Sequence, residues 1–157
     1  MSIMKILLKF FLIFTLTGCG FKVINPSELN KFSISEIITK GDYRINNRIK
    51  NKLLFNSNIS DKKLITVKLN TSKNKSVKEK NIKNEITKYQ IQIIVEVKFK
   101  QIGADTEQKF NLSKTGDYVI GAQHSQTLNN EKNLIKLLTS NISDQILEEL
   151  SSKLNDI

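Results

Sequence analysis

Hydrophobic and polar positions divide the chain into short runs of distinct period. Phe32, Ile34, Glu36 and Ile38 alternate with Ser33, Ser35 and Ile37, a period of two that predicts a first strand broken at Gly41-Asp42. Ile45, Ile49 and Leu53 then recur every fourth residue among Arg44, Asn46, Asn47, Arg48, Lys50 and Asn51. This is one apolar stripe on a helix of three to four turns. Asp42 suits its N-cap, and Asn56-Ser57-Asn58 ends it. Ile65, Val67 and Leu69 predict a strand over Leu64 to Asn70. Tyr89, Ile91, Ile93, Val95, Val97 and Phe99 fill every second position without a miss, which predicts a long strand with one face on a core. Gly103-Ala104-Asp105 supplies a turn. A fourth strand follows over Glu107 to Lys114, antiparallel to the third and closed by Gly116-Asp117-Tyr118. Gly121 to Asn129 reads as a polar loop, with Asn129 or Asn130 capping the last helix and Glu131 in its first turn. Leu134, Leu138, Ile142, Ile146 and Leu150, widened by Ile135 and Leu147, carry that helix to about Leu154.

The predicted order is β-α-β-β-β-α. Two helices with single apolar stripes and a sheet with one apolar face assemble as an α+β two-layer sandwich. Its sheet is four-stranded and mainly antiparallel, with both helices on one face. The other face, bearing Gln90, Gln92, Glu96 and Lys98, is left to solvent or a partner.

Two stretches do not fit this domain. Met1 to Thr15 has lysines at 5 and 9 and an apolar run, Phe10 to Phe14. That run is too short to span a bilayer, which takes about 20 apolar residues, but has the length of a signal-peptide core. Leu16-Thr17-Gly18-Cys19 follows it and resembles a bacterial lipobox. The resemblance implies a thioether-linked diacylglycerol on Cys19, cleavage before it, and a further acylation. Cys19 is the only cysteine, so it has no disulfide partner within the chain. The resemblance also implies that Gly20, in place of the Asp that retains such proteins at the inner membrane, favours the outer membrane. Residues 1–18 are then a signal peptide, 19–31 a lipidated tether containing the single proline, Pro26, and 32–154 one domain.

Charge changes the picture in one region. The 157-residue chain carries a formal charge of +10, nearly all from lysine, with Arg44 and Arg48 the only arginines. Such a balance favours an anionic partner, lipid phosphates or an acidic protein surface; a chain exported from the cytoplasm does not meet nucleic acid. Thr71 to Lys88 concentrates Lys73, Lys75, Lys78, Lys80, Lys83 and Lys88 against Glu79 and Glu85. It is either a long basic loop or the tip of a hairpin, and either a solvated surface or an electrostatic contact. Arg44 and Arg48 read first as a solvated helix face, with an anion or partner contact as the sharper alternative. No group suggests catalysis. The chain has no Gly-rich phosphate loop or metal-spaced cluster, its cysteine is committed to lipid, and His124 is the sole base for its serines. Asp144, Glu148 and Glu149 belong to the outer face of the last helix. No enzyme activity, cofactor or metal is expected.

The start Leu-Thr-Gly-Cys19-Gly20-Phe21 and the order of elements together resemble the LPS-assembly lipoprotein LptE family. So do Tyr43 with Ile45, Ile49 and Leu53, Tyr89 opening the long strand, Tyr118 after the fourth, and Ile142 to Leu150 in the last helix. The resemblance implies a lipid-anchored outer-membrane protein on the periplasmic side or within a barrel lumen. There it plugs the β-barrel LptD, helps it assemble and binds lipopolysaccharide. No motif carries the family's lipopolysaccharide contacts onto particular residues; Lys73, Lys75, Lys78 and Lys80 are the candidates from charge and expected exposure. An auxiliary lipoprotein of another envelope lipid-transport system, of the ABC type, fits the same outline.

Overall fold

A computed structural model describes residues 32–56 and 63–155. The leader, the lipobox with Cys19, the tether and the helix stop at Ser57-Asn58 lie outside the described residues. The elements are β1 (Phe32–Gly41), α1 (Tyr43–Asn56), β2 (Lys63–Lys80), β3 (Ile86–Gln101), β4 (Gln108–Val119) and α2 (His124–Asn155). They form one α+β unit in the predicted order, a sheet with spatial order β1-β2-β3-β4. β1 and β2 run parallel, joined through α1, while β2, β3 and β4 pair antiparallel.

The core is where the periods said it would be. Ile45, Ile49 and Leu53 of α1, Ile142, Ile146 and Leu150 of α2, and Ile91, Ile93, Val95 and Val97 of β3 all belong to one buried cluster. Each such side chain contributes about 1.5–3 kcal/mol by leaving water. The helices also meet each other directly. Lys52 Nζ donates to Ser140 Oγ at 2.9 Å and pairs with Asp144 Oδ1 at 2.6 Å.

The turn from β1 into α1 is built from four residues. Gly41 has φ +97°, and a Cβ there would lie 1.9 Å from the Thr71 carbonyl oxygen. Only glycine lets the two backbones approach so closely. Asp42 caps α1 as expected, Oδ1 accepting from the amides of Arg44 (3.0 Å) and Ile45 (3.1 Å). Asn46 is buried, yet its amide is satisfied: Nδ2 donates to the Lys40 carbonyl and Oδ1 accepts from Thr71 Oγ1, both at 3.0 Å.

Four sequence expectations need correction, each for a physical reason. In β1 the register slips between Ile34 and Glu36. A bulge adds one residue and turns every later side chain over, so Ile37 is buried and Ile38 is exposed. β2 runs on past Asn70 to Lys80, which settles the 71–88 stretch as a hairpin. Asn81 Oδ1 closes its tip by accepting from the amides of Lys83 (2.9 Å) and Glu85 (3.0 Å). β4 runs through Gly116 instead of stopping before it, with Gly116 opposite Ile91. A Cβ at Gly116 would sit 2.7 Å from Leu134 Cδ1, so this glycine marks close approach of α2 and not a turn. Finally, α2 starts at His124, before the predicted caps. The Gln123 carbonyl accepts from the amides of Gln126 and Thr127. Asn130 instead donates to the Val119 carbonyl at 3.0 Å, and Glu131 lies beyond the first turn.

Candidate functional site

The two helices differ in length. α1 has 14 residues and α2 has 32, about 21 Å against about 48 Å at 1.5 Å per residue. α1 begins level with Thr71 on β2, because Asp42 N donates to the Thr71 carbonyl. The helix-side face of β2 beyond that point is covered only from the α2 side. There the inward-facing positions, held by Ile65, Val67 and Leu69 lower down, are taken by Lys73 and Lys75.

A cleft of about 610 Å³ opens at this step. One wall is the N-terminal part of α1, with Tyr43, Arg44, Asn47, Arg48 and Asn51, which repeat at helical spacing. The other is α2, with Leu128, Glu131, Lys132 and Ile135 at i, i+3, i+4 and i+7, and Lys73 lies between them. Four cations thus line the cleft against one carboxylate. Among the described residues, no carboxylate pairs with Arg44, Arg48 or Lys132. Lys73 keeps a loose ion pair, 3.8 Å, to the capping Asp42. The apolar part of the lining is Tyr43, Leu128 and Ile135; Tyr43 is 75% exposed and Leu128 52%.

Glu131 is already committed. Its Oε2 accepts from Lys75 Nζ at 2.7 Å and from the Tyr118 hydroxyl at 2.8 Å. Lys75 Nζ also lies 4.4 Å from the centre of the Tyr89 ring, which stacks on Tyr118 with ring centres 5.7 Å apart. Burial alone would raise the Glu131 carboxyl, but the hydrogen bonds from Lys75 and Tyr118 outweigh it and hold the group below the usual carboxylate range. For Lys75, burial acts to lower the ammonium, and the bonds to Glu131 and Tyr118 outweigh that and raise it. Burial first, then the bond to Glu131, raises the Tyr118 phenol. This cluster fixes the floor beside the cleft and leaves Arg44, Arg48 and Lys132 without a carboxylate partner among the described residues, with Lys73 held only loosely by Asp42.

The four lysines chosen from sequence do not form one site. Lys73 lines the cleft and Lys75 lies in the cluster beside it. Lys78 lies near Asp117 of β4, Oδ2 at 3.9 Å, beside Gln90 on the opposite face of the sheet. Lys80 donates to Asn84 Oδ1 at 2.9 Å in the hairpin tip. Arg44 and Arg48 join Lys73 where sequence reading favoured a solvated face, and Leu128 and Lys132 were not singled out. The missed signal was the spacing of Leu128, Glu131, Lys132 and Ile135, hidden in a stretch read partly as loop. His124 stands at the start of α2, and the described residues hold no group of His, Cys and carboxylates able to bind a metal ion.

No family model and no curated protein matches the sequence. Among solved structures, the rare lipoprotein B from Shewanella oneidensis superposes with a TM-score of 0.61 at 18% identity, over 78% of this chain and 98% of that one. Lipoprotein B from Nitrosomonas europaea does so with a TM-score of 0.58 at 14% identity, over 87% and 94%. The chain has the rare lipoprotein B fold. At such identities the likeness is one of fold, the arrangement of strands and helices, and it spans nearly the whole of each neighbour's length.

Proposed function

We propose that the protein is an outer-membrane lipoprotein, anchored through an acylated Cys19. It seats in the lumen of the LPS-translocon barrel LptD and assists lipopolysaccharide on its way to the surface. The lipobox resemblance and the fold shared with lipoproteins support the envelope location. The observation that carries the partnership is the sheet face turned away from the helices. Ser72, Asn74 and Ser76 of β2 and Ser113 and Thr115 of β4 are exposed there around Gln92. Gln92 Nε2 donates to Ser113 Oγ at 3.2 Å. This patch of neutral hydroxyls and amides, flanked on the same face by the ion pairs Lys68–Glu107, Lys98–Glu96 and Lys78–Asp117, gains little by burial against lipid or an apolar surface. It hydrogen-bonds well to the polar, water-lined wall inside a large β-barrel.

The test is recovery of the tagged, full-length protein from native membranes in mild detergent, with bound proteins identified by mass. One large outer-membrane barrel at equal stoichiometry is expected. Inner-membrane permease and ATPase subunits without a barrel would overturn the reading in favour of an ABC-type lipid transporter's auxiliary subunit.

A further inference from the structure

We infer that the cleft between α1 and α2 seats the phosphate-bearing end of a membrane lipid. Arg44, Arg48, Lys73 and Lys132 meet its phosphates, and Tyr43, Leu128 and Ile135 take the start of its acyl region. The inference deepens the function proposed above, on which it rests, by assigning that function's lipid to a place in the fold.

The charge balance fixes the sign of the ligand. Four cations line the cleft, and its single carboxylate, Glu131, is held by Lys75 and Tyr118. The chain's only two arginines lie one helical turn apart on the same wall. Guanidinium forks bind phosphate oxygens in pairs and are more weakly hydrated than ammonium groups. The apolar lining fixes the class. Leu128 and Tyr43 are more than half exposed beside those charges, although an aqueous ion would gain nothing from them. A ligand that is anionic at one end and apolar next to it complements both halves. The volume, about 610 Å³, suits a headgroup and the first acyl carbons; whole chains would extend out of the cleft.

The experiment measures binding of fluorescent diphosphoryl lipid A to the full-length lipidated protein in non-ionic detergent. Arg44→Glu with Arg48→Glu is expected to weaken binding at least tenfold. Lys100→Glu with Lys109→Glu makes the same charge change on the other sheet face and should cost less than twofold. Monophosphoryl lipid A should bind the wild type at least threefold more weakly than the diphosphoryl form. Leu128→Ser should weaken both probes about threefold. Thermal melting checks each variant, and Arg44→Gln with Arg48→Gln repeats the test should the charge reversal unfold the protein. Equal losses in the cleft and control pairs, or unchanged binding in the cleft pair, would overturn the site while leaving the proposed function standing. Displacement of the probe by millimolar inorganic phosphate would assign a free-anion site and overturn the lipid. A wild type that binds neither probe would overturn both the site and the lipid half of that function, with barrel recovery deciding the other half.

Discussion

The two ends of the helix layer are built from the same sheet by opposite means. Beside the lower part of β2, the α1 stripe Ile45, Ile49 and Leu53 and the α2 stripe Ile142, Ile146 and Leu150 close over Ile65 and Val67, and every one of these side chains is buried. Beyond Thr71, α1 is missing and only α2 continues. The inward positions carry lysines, and order comes from a charge-assisted knot of Lys75, Glu131, Tyr118 and Tyr89. The first end gains its stability from area removed from water and buries polar side chains only where they are hydrogen-bonded, as Thr139 and Ser143 are to the carbonyls one turn before them. The second is held by directional bonds in partly wet surroundings, where each bond is worth less but charge can be left exposed for a ligand.

The sharpest way to break the contrast is to cut one residue from each end. Ile146→Ala should destabilise the protein by about 2–5 kcal/mol in denaturant titration, the cost of a cavity in a packed core. Gly41→Ala should come next at about 1–3 kcal/mol, because the left-handed backbone and the Thr71 carbonyl oxygen both oppose a Cβ. Glu131→Gln, at the open end, should cost about 1 kcal/mol, within the range of partly exposed ion pairs and hydrogen bonds. A loss at Glu131 as large as at Ile146 would erase the distinction.

The smallest effect sharpens it. Glu131 has its folded pKa below its ordinary 4.5, so its contribution is present above that value and is lost as pH falls through the lower folded value. Lys75 has its folded pKa above 10.5, so its contribution is complete below 10.5 and is lost as pH rises through the higher one. Stability should therefore be flat with respect to this pair from about pH 5 to about pH 10. The acid limb below pH 4.5 should be shallower in Glu131→Gln than in the wild type. An unchanged acid limb would show that Glu131 is not bonded in solution.

The closed end was legible in the sequence because hydrophobic period reports burial. Ile45, Ile49 and Leu53 announced α1, and Ile91 to Phe99 announced β3 and its inward face. The open end was poorly legible for the same reason. Where Lys73 and Lys75 replace apolar residues at inward positions, the alternation vanishes from a hydropathy profile even though the β2–β3 hydrogen-bond ladder continues. The early turns of α2 offer only Leu128 as an apolar signal, so a helix start read as loop. The bulge at Ile34/Glu36 left no mark at all, since β1 has isoleucines on both sides of the slip. Lys73 was reached from charge alone, whereas its partnership with Arg44, Arg48 and Lys132 requires knowing where α1 begins.

The parallel pairing of β1 with β2 also has a mechanical consequence. Phe32 lies opposite Lys63, at the end of β2 furthest from the hairpin tip. Lys73 stands about 33 Å further along the strand at 3.3 Å per residue. A tilt of about 10° about the Phe32 end sweeps the cleft through about 6 Å over that arm. In the lipid-anchored form proposed above, small rotations at the Phe32 end become ångström-scale movements of the cationic cleft, with the β2–β3 ladder as the lever.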